Sequence, residues 1–145
     1  MTFAKTVFSI AGIWGIVVLM PIYFLVDLTG RRYGVPTENP HFFYGFLSVA
    51  MAWQIAFLVI ASNPARYRTL MLPAILEKVG YVAGVAVLYG QGRLSVTDAT
   101  SAGPDFLLAA LFIAAYTRTP AFTGSDSAQI QVPQDTRRAR NYRSS

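Results

Sequence analysis

The sequence predicts an all-α membrane protein, with four transmembrane helices in an up-down bundle and a disordered, basic C-terminal tail. Three observations carry that prediction. Of 145 residues, 54% are hydrophobic and 13% are charged, about half the ~25% charge of an ordinary soluble domain. A soluble chain of this size cannot cover so much apolar surface with so few charges, and the mean hydropathy of +0.42 agrees. Next, apolar runs of bilayer-crossing length recur, separated by turns rich in Pro, Gly and Arg. Finally, the composition changes from about Thr119 onward to Gly, Ser, Asp, Gln and Pro. The expected organisation is a transmembrane domain over residues 1–120, with spans at about 7–27, 42–61, 70–90 and 97–118, and a tail over 121–145.

The first run, residues 7–26, holds twenty residues without a charge. At 1.5 Å per residue it covers about 30 Å, the hydrocarbon thickness of a bilayer. It exceeds the h-region of a signal peptide, about 7–15 residues, and the stretch from Asp27 to Arg32 offers no small-x-small cleavage site, so it reads as a retained span. Pro21 is expected to kink its far end. Gly34, Pro36, Asn39 and Pro40 mark a turn before the second run, 42–61, which only Gln54 interrupts. The short loop 62–68 makes spans two and three expected antiparallel neighbours. Span three, from about 70 to 89, carries Glu77 and Lys78 inside it. Span four has an apolar core of only eleven residues, 106–116. Extended back to 97 it reaches about 33 Å, which brings in Asp98, Pro104 and Asp105 and favours a bent, polar first turn. The tail has little to bury and reads as disordered.

Orientation follows from the basic residues. Lys5, Arg66, Arg68, Arg118 and the tail arginines Arg137, Arg138, Arg140 and Arg143 share one side; Arg31, Arg32 and Arg93 lie opposite. Both termini are therefore expected in the cytoplasm, with the protein in the cell membrane, a bacterial inner membrane. The flanking basic residues account for the net charge of +5 without nucleic acid, and the tail arginines could touch anionic lipid.

Some chemistry is excluded. With no cysteine there is no thiolate nucleophile, disulfide exchange, iron–sulfur cluster or cysteine zinc site. One histidine, His41, cannot supply a bis-histidine haem from one chain. No nucleotide, flavin or haem fingerprint is present, so no cofactor and no metal is expected.

The polar residues inside the spans form two expected layers. Gln54 and Glu77 each fall about 10 Å from the cytoplasmic edge, with Trp14 at similar depth. On helix three, Glu77, Gly80, Tyr81 and Gly84 share a face, and Gly80-x-x-x-Gly84 is a small-residue helix-packing motif. Glu77 is thus expected to point into the bundle, where Gln54 or a tyrosine could meet it. Lys78, turned about 100° away, is expected to reach back to the headgroups. Glu77 reads either as a proton-linked or substrate-binding group or as a structural partner of Arg66 or Arg68, because an intramembrane carboxylate costs about 2.5–3.5 kcal/mol. The outer layer holds Tyr23, Asp27, His41, Tyr44, Tyr89, Asp98 and Asp105. His41 with carboxylates could bind a cation or act as a general base. Alternatively, the aromatic residues form an interfacial belt and the aspartates cap helices. The candidate binding residues are Glu77, Gln54, Asp105, His41 and Tyr44, and no catalytic residue is assigned.

The run Asn63-Pro64-Ala65-Arg66-Tyr67-Arg68, then Leu76-Glu77-Lys78, then Leu111 to Pro120, resembles small bacterial four-helix membrane proteins. Over residues 1–120 the plan is similar to the DoxX-like group, in four spans with an arginine after helix two and another closing helix four. That resemblance implies a four-helix membrane fold. Some DoxX-like proteins are implicated in quinone-linked or redox-associated membrane complexes. The resemblance assigns no site residue.

Three functions stay open. The first is a non-enzymatic subunit or partner in a membrane assembly, a homo-oligomer included. The second is a small oligomeric transporter or proton-coupled binding protein using Glu77 and Gln54. The third is a quinone- or lipid-linked enzyme subunit using His41 and Asp105.

Overall fold

The computed structural model describes residues 2–24 and 40–121. Asp27, Arg31, Arg32 and the tail, including Arg137, Arg138, Arg140 and Arg143, lie outside the described residues. Helix α1 runs Thr2–Phe24, α2 Pro40–Ser62, α3 Met71–Gly90, α4 Val96–Thr100 and α5 Gly103–Arg118. Among the described residues there is no strand. Taken with the turn before α3 and with α4, four helical stretches of 23 residues, Thr2–Phe24, Pro40–Ser62, Arg68–Gly90 and Val96–Arg118, are long and apolar enough to cross a membrane.

α1 begins five residues before its apolar run. Only the bilayer-crossing part must be apolar; the first turn carries the exposed Thr2 and Lys5, with the Thr6 hydroxyl Oγ1 donating to the Thr2 carbonyl at 3.0 Å. α2 starts at Pro40, whose fixed φ suits the first helical position. Asn63 then makes the turn: its Oδ1 accepts from the Arg66 amide at 3.2 Å, and one tight turn, Arg68–Leu70, leads into α3. α3 is stopped just past its end by Gly92 at φ +68°. The amide of Gly92 bonds the Tyr89 carbonyl at 2.9 Å and that of Arg93 bonds Leu88 at 3.0 Å, a left-handed glycine stop that satisfies the last carbonyls. Span four is broken as its sequence predicts. Ser95 caps α4, accepting from the Asp98 amide at 3.1 Å while its hydroxyl donates to the Asp98 carboxylate at 2.7 Å. Ser101 and Ala102 form the bend, and Pro104 sits in the first turn of α5.

The helices pack α2 on α1, α1 on α5 and α5 on α3. Spans two and three, expected as neighbours, touch only sparingly. Eight residues, 63–70, separate the two helices, and the close face of α2 is taken by α1. There a Cβ on Gly12 would lie 2.8 Å from Leu58 and 2.9 Å from the Gln54 carbonyl, and one on Gly15 would overlap the Gln54 side chain. Glycine at these two positions is what allows the approach. The centre of the core is aromatic: the Phe8 and Phe112 rings stack at 4.2 Å, and Phe57 meets Phe112 edge-on at 5.0 Å. Ala4, Ala11, Met71, Ala74 and Ala115 fill around them.

One end of the bundle is tied by arginine. Arg68 Nε donates to the Thr119 carbonyl at 2.7 Å with its guanidinium 3.9 Å from the Tyr116 ring, and Arg118 lies 4.9 Å from the Phe3 ring. These contacts join the start of α1, the start of α3 and the end of α5. Around the outside the helices present apolar side chains to their surroundings, among them Ile10, Val17, Phe46, Ile55, Leu76 and Phe106.

Candidate functional site

The buried face of α3 is set by Met71, Ala74 and Lys78, spaced three and four residues apart so that they stack on one side of the helix. Lys78 thereby takes a position that the helical register reserves for the core, and it is only 7% exposed. Its apolar stem passes into the bundle, with Nζ 5.6 Å from the Phe57 ring centroid. Two carboxylates meet the ammonium. Asp105 Oδ1, from the first turn of α5, lies at 2.6 Å, and Glu77 Oε2 and Oε1 lie at 3.1 and 3.3 Å. Oε2 of Glu77 is buried yet receives no hydrogen bond of good geometry.

This arrangement corrects three expectations. Lys78 does not reach back to the headgroups; it points inward and binds the neighbouring Glu77 despite the 100° step, because both side chains are long enough to meet across it. The register of Met71 and Ala74 decides which of the two adjacent charges faces the core. Asp105 does not belong to an outer layer with His41. Residue 78 is the eleventh of the 23 in Arg68–Gly90 and residue 105 the tenth of the 23 in Val96–Arg118, so both sit near mid-span. Finally, Glu77 is not paired with Arg66 or Arg68, since Arg68 is committed to Thr119 and Tyr116.

The cluster opens onto a cavity of about 430 Å³ bounded by α1, α2, α3 and α5. Trp14 and Gly15 come from α1, Phe46, Trp53 and Gln54 from α2, Glu77, Lys78 and Tyr81 from α3, and Asp105 and Leu108 from α5. Gln54 is 5% exposed. Its Nε2 donates to the Ala50 carbonyl at 3.0 Å, so it bonds its own helix rather than Glu77. Three of the five sequence candidates, Glu77, Gln54 and Asp105, therefore line one cavity. The other two do not: His41 is exposed and lies against Phe42 at 4.3 Å, and Tyr44 meets Tyr23 edge-on at 5.4 Å at the far end of α1.

Among the described residues no group of three or more His, Asp or Glu side chains is placed to hold a metal ion. Among them, His41 and the described carboxylates Asp98 and Asp105 form no such group, and Asp27 lies outside the described residues. Asp98, another candidate for that group, is engaged in the α4 cap. Asp105 faces Lys78 on α3, while His41 opens α2.

Among the described residues nothing packs on Gly80 or Gly84. Both are exposed, and a Cβ at either would meet nothing within 4 Å. The residues missed by sequence reasoning are Lys78 as the centre of the cluster and Tyr81 and Trp53 as cavity walls. Their signals were present: Lys78 is a lysine inside a span, and Tyr81 stands one turn beyond it. Comparison of the chain with protein-family models, curated proteins and solved structures finds no match.

Proposed function

We propose that this chain is a multi-pass membrane protein that binds a small molecule inside the bilayer, at the cavity whose polar centre is Glu77, Lys78 and Asp105. The four spans run up and down with both termini in the cytoplasm, in the plan resembling the DoxX-like group. The outward-facing apolar side chains of all four spans support insertion. The arginine contacts that tie the starts of α1 and α3 to the end of α5 support the alternating arrangement, and Lys5, Arg66, Arg68 and Arg118 support a cytoplasmic end.

One observation carries the binding reading: the cluster lies beside open volume instead of being sealed in the core. Charges in the membrane interior are costly and mark functional sites by default. For stability alone, apolar side chains of similar volume serve as well as a buried ion pair or better. A concave, mostly apolar pocket with a few convergent polar groups is the usual form of a small-molecule site.

The test uses the two tryptophans, Trp14 and Trp53, both in the cavity wall. Titrating purified protein with a panel of small amphiphiles should give saturable quenching. A triple variant, Glu77→Gln with Lys78→Met and Asp105→Leu, should keep its thermal transition and lose that quenching for charged ligands. Saturable binding unchanged in the triple variant would remove the cluster from the function.

A second reading has its own observation. The open Gly80–Gly84 face of α3 would allow close approach of a second copy or of another membrane helix, as a subunit of an assembly requires. Gly80→Val with Gly84→Val should then break a detergent-stable complex while leaving the monomer folded.

A further inference from the structure

The cluster holds two carboxylates and one ammonium, and the chemistry of what can fill the cavity follows from that imbalance. Resting on the binding reading above, we infer that the cavity takes a small organic monocation with an apolar body, and that the cation enters in exchange for one proton held at Glu77.

With all three groups ionised the site carries one uncompensated negative charge. In the low dielectric of a membrane interior such a charge must be cancelled, and two species can do it: a proton or a bound cation. The neighbouring helices offer no third. From α1 and α2 the cavity receives no titratable group, its polar or aromatic walls there being Trp14, Phe46, Trp53 and Gln54; from α3 it receives Glu77, Lys78 and Tyr81, and from α5 Asp105.

Geometry assigns the exchange to Glu77. Asp105 holds Lys78 at 2.6 Å and sits in the first turn of α5, where the helix dipole favours a carboxylate. Glu77 makes the longer contacts, 3.1 and 3.3 Å, and its Oε2, though near the ammonium, receives no hydrogen bond of good geometry. When the cation binds, the Glu77 O–H bond breaks, the proton leaves to water and the carboxylate pairs with the cation, so charge balances at each stage. The walls suit the remainder of the ligand. Indole and phenol faces attract cations, and quaternary ammonium groups best of all once they are desolvated. A bare metal ion or a hydrated inorganic cation would leave Trp14, Trp53 and Tyr81 without a role.

The test compares three probes of similar size on the full chain in detergent: benzyltrimethylammonium, its neutral isostere neopentylbenzene, and phenylmethanesulfonate. The readouts are tryptophan quenching and proton release in weakly buffered solution. The cation should bind at least tenfold more tightly than the neutral isostere and release about one proton per site. In Glu77→Gln the preference and the proton release should both vanish while the neutral isostere still binds. On the unaltered protein, cation affinity should fall about tenfold per unit of acidification on the acid limb, as one-for-one competition requires, a measurement that stands even if the variant does not fold. Equal binding of cation and neutral isostere without proton release would overturn the exchange and leave the binding site intact. Preference for the sulfonate would overturn it by assigning the site to Lys78. Failure of all three probes to bind would overturn the binding reading itself.

Discussion

Lys78 of α3 and Asp105 of α5 meet at 2.6 Å near the middle of their spans, so a charge pair joins the two helices beside their apolar packing. α5 does not pack on α3 through apolar side chains alone; the two are joined by a buried charge pair whose ammonium is shared with Glu77. Breaking such a pair from one side leaves a charge without a partner, which is far more costly than never having placed the pair there.

Removing the lysine alone should therefore be severe. Lys78→Met leaves two carboxylates facing one another and is expected to cost about 3–5 kcal/mol. The triple replacement Glu77→Gln, Lys78→Met and Asp105→Leu should cost less than about 1 kcal/mol, since it removes every member together. Thermal unfolding of both variants in one detergent measures the difference. A single variant as stable as the triple would show that the pair contributes nothing.

The glycines divide sharply between the two halves of the bundle. At Gly12 an added Cβ meets backbone, the Gln54 carbonyl at 2.9 Å, so Gly12→Ala must push α1 and α2 apart and should cost about 1–3 kcal/mol. At Gly15 the obstacle is the Gln54 side chain, so Gly15→Ala should be destabilising in the native background and largely relieved by Gln54→Ala. Gly80→Ala meets open space and should be neutral or stabilising by up to about 1 kcal/mol through helix propensity. A melt series across the three positions reads all of these outcomes.

The fold was largely legible in the sequence and the site only partly so. Twenty-residue apolar runs and their Pro and Gly boundaries are strong signals, because no other element satisfies its backbone over that length in lipid. The bend before Gly103 was visible as Pro104 within a polar stretch. Which helices touch was less visible. Nearly every face of a membrane helix is apolar, so hydrophobic periodicity says little about its inward side, and the Gly80–Gly84 spacing does not say whether the helix that meets it belongs to the same chain. Gly12 and Gly15 pack because Leu58 and Gln54 stand opposite them, a fact of pairing that one strand of sequence does not carry. The same ambiguity hid Lys78. Two adjacent charges differ by 100° of helix, and only the register of Met71 and Ala74 turns one of them inward.

The arginine tie is a separate test of how the basic end is held. Arg68 Nε reaches the Thr119 carbonyl at 2.7 Å while its guanidinium lies on Tyr116. Arg68→Ala should cost about 1–2 kcal/mol by losing a charged hydrogen bond and a cation–π contact together. Arg68→Lys should recover little of it, because an ammonium cannot stack on the ring and donate from the same position as a guanidinium. Melting temperatures of the two variants compared with the parent decide the matter: full recovery by lysine would show that charge alone holds the end.

The absence of cysteine makes insertion directly measurable. Leu76 is 69% exposed on the outside of α3, the ninth residue of the 23 in its span. On a protein surrounded by water, Leu76→Cys would react at once with a membrane-impermeant maleimide. In membrane vesicles it should instead be protected from both sides and should react only after denaturation, because a thiol in hydrocarbon does not form the reactive thiolate. Ser62→Cys, at the end of α2, and Ser95→Cys, at the cap of α4, should label from opposite faces and report the direction of the spans. Labelling of Ser62→Cys from the cytoplasmic face would agree with the excess of Lys5, Arg66, Arg68 and Arg118 on that side. Ready labelling of Leu76→Cys in intact vesicles would mean that α3 is not in lipid. The cavity reading would then lose its low-dielectric premise along with the topology.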